Sequence, residues 1–273
     1  MAYIQADDGT QLYYKDWGTG RPVVLIHGWP LSADSWDHAA MELAEAGFRA
    51  IAYDRRGFGR SEQPWGGYDY DTLADDLAAV LRKTGAEEAA LVGFSMGGGE
   101  VARYMSRHGG RGVVKAVLIS SVVPYMLKKP DNPDGVDQDT FDQMTEGIRE
   151  DRAKFMSQFF RTFYGVSLLT HPVSDELLEW SRSVAMNASL RATLECATAF
   201  ATTDFRPDLP HFKVPTLIIH GTGDATVPID ASGRAAARGI AGAQLIEYEA
   251  APHGLFATQK ERLADDLVSF LSR

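Results

Sequence analysis

The sequence predicts an α/β protein: a mostly parallel sheet, helices on both faces, and a helical insertion that interrupts the later part of the pattern. Three observations carry this. Short apolar runs recur along the chain and are nearly continuous rather than alternating, as strands buried on both faces are. Segments with helical apolar spacing stand between them. From about Pro124 to Pro210 the runs stop, and the βα rhythm resumes at Pro215.

The elements follow in order. Tyr3 and Ile4, the Asp8-Gly9 turn and residues 11–17 predict an antiparallel hairpin leading into the parallel sheet. Parallel strands are expected over 23–26, 50–53, 90–94, 113–120, 216–219 and 245–248. After Tyr70, Leu73, Leu77, Val80 and Leu81 fall at i, i+4, i+7 and i+8, one apolar stripe of a helix. The interrupting segment opens with a turn-rich piece over 129–135 and continues with aromatic-rich helical patterns, which predicts a cap over the sheet. Leu263, Leu267, Phe270 and Leu271 repeat the helical stripe at the C-terminus, where Thr258 and Glu261 have capping-box spacing. The expected division is therefore a core of residues 1–123 and 211–273 and a helical cap of 124–210.

Composition narrows the function. At 273 residues, 45% hydrophobic and 23% charged, the chain can bury a full core unaided. One cysteine makes neither an internal disulfide nor a thiolate zinc site. The net charge of −10, from 37 acidic and 27 basic residues, repels phosphate backbones and anionic lipids, so neither nucleic acid nor a membrane is an expected partner. The first residues show no basic, then apolar, leader pattern, and no apolar run is long enough to span a bilayer; a cytoplasmic protein is expected.

The most specific motif is Gly93-Phe94-Ser95-Met96-Gly97, followed by Gly98 and Gly99. A buried strand runs into it and a small-residue helix leaves it, the context in which a serine is held on a sharp turn with its hydroxyl exposed at the sheet end. The glycines let neighbouring backbone pass close. A serine hydroxyl needs a base. Among seven histidines, His253 stands between the last strand and the last helix, at the same sheet end. Asp224, in a glycine-rich loop after strand 216–219, can orient it, giving the chain order Ser95, Asp224, His253. The N–H of Met96, at a helix N-terminus, and that of Trp29, in the turn His27-Gly28-Trp29-Pro30, are the expected oxyanion donors.

Other candidates read as structural. His220 ends a strand and packs; His27 shapes its turn; His38, His108, His171 and His211 have no nameable partner. Cys196 has no adjacent base and reads as a small buried hydrophobe. Residues 54–60 brace loops.

Taken together, Lys15-Asp16-Trp17-Gly18, His27-Gly28-Trp29-Pro30, Asp54-Arg55-Arg56-Gly57-Phe58-Gly59-Arg60-Ser61, the Ser95 motif, Arg103-Tyr104, Thr203-Asp204-Phe205-Arg206 and Ala251-Pro252-His253-Gly254 resemble the α/β-hydrolases. More narrowly, they resemble the bacterial aryl esterases and cofactor-free haloperoxidases or perhydrolases. The resemblance spans the chain. It implies an eight-stranded sheet, a serine carboxylesterase with Ser95 as nucleophile, His253 as base and Asp224 as its orienter, and no cofactor or metal. It implies a small acyl ester as substrate, hydrogen peroxide as an alternative acceptor, and a homo-oligomer. It also implies a pocket lined by Trp29, Pro30, Met126, Met144, Phe159, Phe200 and Val227.

Pro30 has no N–H and restricts the residue before it. The resemblance associates a proline here with peroxide use, through a shifted Trp29 carbonyl. Ser95 excludes relatives with an aspartate nucleophile. Lactonases, γ-lactamases, carbon–carbon bond hydrolases and weakly catalytic receptors stay open, because they keep the same three side chains.

Overall fold

The computed structural model describes residues 2–273. The chain forms β1 (Ala2–Gln5), β2 (Gln11–Gly18), β3 (Pro22–Ile26), α1 (Asp37–Glu45), β4 (Arg49–Tyr53), α2 (Tyr70–Thr84), β5 (Ala89–Phe94), α3 (Met96–Arg107) and β6 (Val113–Ile119). It continues through α4 (Gln138–Phe163), α5 (Asp175–Met186), α6 (Leu190–Thr202), β7 (Thr216–Gly221), α7 (Gly233–Gly239), β8 (Gln244–Tyr248), α8 (Leu255–Thr258) and α9 (Lys260–Ser272). The eight strands form one sheet in the order β1-β2-β4-β3-β5-β6-β7-β8. β1 pairs antiparallel with β2, and β2 with β4. β3 to β8 run parallel, with Val24 opposite both Ile51 and Leu91.

The expected strands agree with these within a residue or two, for a physical reason. β3 and β5 are buried along their whole length, so their continuous apolar sequence has helices or neighbouring strands on every side. The stripe of α2 is buried at Leu73, Leu77, Val80 and Leu81; Asp69 caps its first turn by accepting from the Thr72 N–H at 3.0 Å, and Gly85 ends it in the left-handed region.

Between β6 and β7 the described residues hold helices and no named strand. α4 is kinked at Asp151, whose carboxylate caps the second half through the Lys154 N–H at 2.9 Å. The expected capping box at Thr258 and Glu261 does not form. Thr258 is the last residue of α8, and its hydroxyl donates to the Gly254 carbonyl at 3.1 Å, so it is not available to α9.

The strand order reverses across β3 and β5: the chain leaves β3 for one side and returns to the other. In open α/β sheets the crevice beyond the strand C-termini at such a reversal is where ligands bind. The turn 27–30 and Ser95 both lie there. Close approach is enforced by glycine. A Cβ on Gly97 would sit 2.5 Å from the Ile26 carbonyl oxygen, and one on Gly93 2.5 Å from the Gly97 carbonyl. Gly97→Ala should therefore destabilise the fold by ~1–3 kcal/mol, because backbone rather than a flexible side chain must move. Chemical denaturation measures this; an unchanged midpoint would contradict the packing described.

Candidate active site

Ser95 follows β5 directly, with φ 54 and ψ −119. That region is sparsely populated for a residue with a Cβ, and such strain concentrates where function requires it. The surroundings hold it: the Ser95 N–H donates to Ile119 O at 2.8 Å, and its carbonyl accepts from Gly98 N at 3.0 Å. Met96 and Gly97 thus open α3 ahead of its first bond, where N–H groups are unpartnered and the dipole favours negative charge.

The structure brings the three chemistry-bearing side chains together. His253 Nε2 lies 2.9 Å from Ser95 Oγ, and His253 Nδ1 lies 2.6 Å from Asp224 Oδ2. His253 is fully buried, its ring 5.1 Å from that of Phe94 and edge-on to Phe163 at 4.8 Å. Asp224 Oδ1 accepts from the N–H groups of Thr226 at 2.9 Å and Val227 at 2.8 Å. Burial alone would raise the Asp224 carboxyl, but the His253 and His220 imidazoles outweigh it and hold it well below the ordinary carboxylate range.

His220 is more than packing. Its Nε2 lies 2.9 Å from the Val227 carbonyl, which can only accept, so Nε2 carries the proton; the same atom is 3.3 Å from Asp224 Oδ2. No local pattern in the sequence marks this role, because its partners are set by which groups meet in the core. Phe94 and Phe163 were also missed as holders of the imidazole, although Phe94 lies inside the serine motif.

A cavity of ~480 Å³ opens over Ser95 and His253. Trp29, Met126, Met144, Phe159, Phe200 and Val227 line it, with Phe141 and Phe155 added by α4 and a few polar groups such as Gln143 and Thr162. The Trp29 indole stands edge-on to Phe159 at 5.2 Å and Phe200 at 5.6 Å, and donates to Thr193 O at 3.0 Å. Pro30 does not line the cavity. It is buried in the turn closed by Leu31 N to Gly28 O at 3.0 Å, and the preceding indole takes the wall instead. Met96 contributes no lining either, its side chain being buried, which leaves its N–H.

The remaining candidates are placed as follows. Cys196 is buried, and burial pushes its thiol up to about 12. His108, expected to lack a partner, stacks on Tyr104 and lies 2.8 Å from Asp75. His171 and His211 are exposed. Among the described residues, no group of three His, Cys, Asp or Glu is placed to hold a metal ion, and no helix is long and apolar enough to cross a membrane.

A serine on a strand-to-helix turn, backed by an imidazole and a carboxylate at the C-terminal edge of this sheet, defines a hydrolase-type scaffold. The chain belongs to the α/β hydrolase fold family, which it matches over residues 21–259. It is 42% identical over 275 residues to the non-heme chloroperoxidase CPO-A1 of Kitasatospora aureofaciens, covering 100% of each chain. It is 41% identical to the bifunctional esterase/perhydrolase DCH of Acinetobacter calcoaceticus, covering 99% of each. Its structure resembles that of a bromoperoxidase from Bacillus anthracis, with a TM-score of 0.96 and 44% identity over 100% of this chain and 99% of the other.

Proposed function

We propose that this chain is a serine carboxylic ester hydrolase that transfers small acyl groups from esters to water and, alternatively, to hydrogen peroxide. The observation that carries the reading is the continuous hydrogen-bonded path from Ser95 Oγ through the imidazole to Asp224, at 2.9 and 2.6 Å. Ser95 Oγ attacks the ester carbonyl as His253 Nε2 takes its proton, and Asp224 stabilises the imidazolium. The oxyanion lies between the N–H groups of Met96 and Trp29. His253 then protonates the departing alcohol. In the second half, water adds to the acyl-serine, its proton passing to His253, and releases the carboxylic acid. Hydrogen peroxide adding instead releases a peracid. A peracid passes one oxygen to a halide ion, giving hypohalous acid and the carboxylate, with no group on the enzyme changing oxidation state.

We assign residues 124–210 the role of a cap and residues 1–123 and 211–273 that of the catalytic core. Support comes from Met126, Met144, Phe159 and Phe200, which bring apolar side chains to the cavity above Ser95. An apolar wall suits small acyl or aryl groups and leaves water few places to bind.

Pre-steady-state hydrolysis of p-nitrophenyl acetate tests the reading. A burst of one p-nitrophenolate per protein is expected if an acyl-enzyme accumulates; neither burst nor turnover would instead favour a receptor. The peroxide branch has its own test. Pro30 sits directly behind Trp29 in a turn against Ser95, so Pro30→Leu should change the ratio of perhydrolysis to hydrolysis by roughly 10-fold, since small misplacements of an attacking group are costly. An unchanged ratio, measured with acetate and peroxide beside an acetate ester, would remove Pro30 from the account.

A further inference from the structure

We propose that His27, clamped by the buried Arg55–Glu100 pair, is a positioning residue for the oxyanion: its Nδ1–H fixes the Gly28–Trp29 peptide and so aims the Trp29 N–H. This rests on the serine mechanism above.

The protonation state of His27 follows from its partners. The backbone N–H of Arg55 donates to His27 Nε2 at 3.0 Å, so Nε2 is bare. A neutral imidazole then carries its proton on Nδ1, and Nδ1 lies 2.9 Å from the Gly28 carbonyl oxygen, which can only accept. Burial, with Arg55 beside it, holds the ring well below its ordinary pKa, so it stays neutral. Arg55 Nη1, 3.4 Å from Nδ1, faces a nitrogen that already bears its proton.

That single donor acts on catalytic geometry. Across a trans peptide the C=O and the next N–H point in opposite directions in one plane. The Gly28 oxygen is held from two sides, by His27 Nδ1–H and by Leu31 N–H at 3.0 Å. With it held, the direction of the Trp29 N–H is set. The constraint is needed because residue 28 must be glycine: a Cβ there would lie 3.0 Å from Ser95 Cβ and 2.7 Å from the Phe94 ring. Glycine admits the close approach but leaves its own dihedrals loose. The imidazole restores what the missing side chain gives up.

Arg55 fixes the imidazole in turn. Its Nη2 donates to His27 O at 2.6 Å, its Nε donates to Glu100 Oε1 at 2.5 Å, and Tyr53 OH donates to Glu100 Oε2 at 2.6 Å. All four residues are fully buried. Burying such a pair costs desolvation that its attraction seldom returns in full, so geometry rather than stability accounts for it here.

Two substitutions separate donor from bulk. Asparagine places an amide N–H where Nδ1 stands, whereas glutamine places its carbonyl where Nε2 stands and offers Gly28 nothing. His27→Asn should keep kcat/KM for p-nitrophenyl acetate within about threefold. His27→Gln should lose roughly 10- to 100-fold, with the inhibition constant of an aryl trifluoromethyl ketone, which forms an oxyanion on Ser95, rising in parallel. Equal losses in both, or a loss only in His27→Asn, or in neither, would overturn the proposal. If the variants do not fold, 15N NMR of histidine in the unaltered protein decides: a bare Nε2 and protonated Nδ1 on His27 support it, and the other tautomer or a charged ring overturns it. Turnover surviving in Ser95→Ala would sink the serine mechanism itself, whatever the His27 variants do.

Discussion

Replacing Ser95 with alanine should lower kcat for ester hydrolysis by roughly 10⁵- to 10⁶-fold, the scale seen when a serine hydrolase loses its nucleophile. The fold should survive, because among the described residues the Ser95 hydroxyl bonds only to His253, and its backbone is tied independently to Ile119 and Gly98. A second variant separates catalysis from folding. Ser95→Gly is equally inactive but escapes the cost of holding a Cβ at φ 54, so it should be more stable than the unaltered enzyme by about 1 kcal/mol or more. Activity assays and denaturation curves on the two variants check both halves. Equal stability of the alanine and glycine forms would show that the strain in the turn is no larger than the ~0.5–1 kcal/mol that glycine loses in conformational entropy on folding.

The second large effect belongs to Asp224→Asn, a change of one atom. Asp224 Oδ1 already accepts from the Thr226 and Val227 N–H groups, so an asparagine keeps its carbonyl there and turns its NH₂ toward His253 Nδ1. An NH₂ donates, so Nδ1 must accept and the imidazole proton moves to Nε2. Nε2–H cannot take a proton from Ser95. A fall of ~10⁴ in kcat is expected, as where the equivalent tautomer is lost in other serine hydrolases. Kinetics at neutral pH measure it; a loss under tenfold would mean that Asp224 does not set the tautomer.

The same carboxylate has a consequence for acid stability. Its folded pKa is depressed, so its contribution to stability is fully present above the unfolded value of about 4 and is lost progressively as pH falls from there through the lowered folded value. Asp224→Asn should therefore narrow the gap in stability between neutral and acidic pH.

How far the sequence could be read depended on the range of the interactions involved. Strands such as 23–26 and 90–94 were legible because burial on both faces writes itself as an unbroken apolar run. Ser95, Asp224 and His253 were legible because each sits at a strand-to-helix junction, and the parallel topology carries such junctions to one edge of the sheet. The capping box at Thr258 failed because a short helix, too brief to leave an apolar period, uses that hydroxyl first. Pro30 was expected in the pocket wall, but adjacent residues in a tight turn face different ways, and only Trp29 reaches the cavity. His220 and the Arg55–Glu100 pair were unreadable for another reason. Their partners are decided by which side chains meet in the core, and a histidine that donates to a carbonyl has no local pattern distinguishing it from one that merely packs.

Intact-protein and peptide mass spectrometry after an acid quench of the enzyme with p-nitrophenyl acetate tests the central claim most directly. One acetyl group is expected, on the peptide carrying Ser95, absent from Ser95→Ala and discharged when the quench is delayed. Turnover with no acetyl group, or with the label on any other residue, would contradict the mechanism.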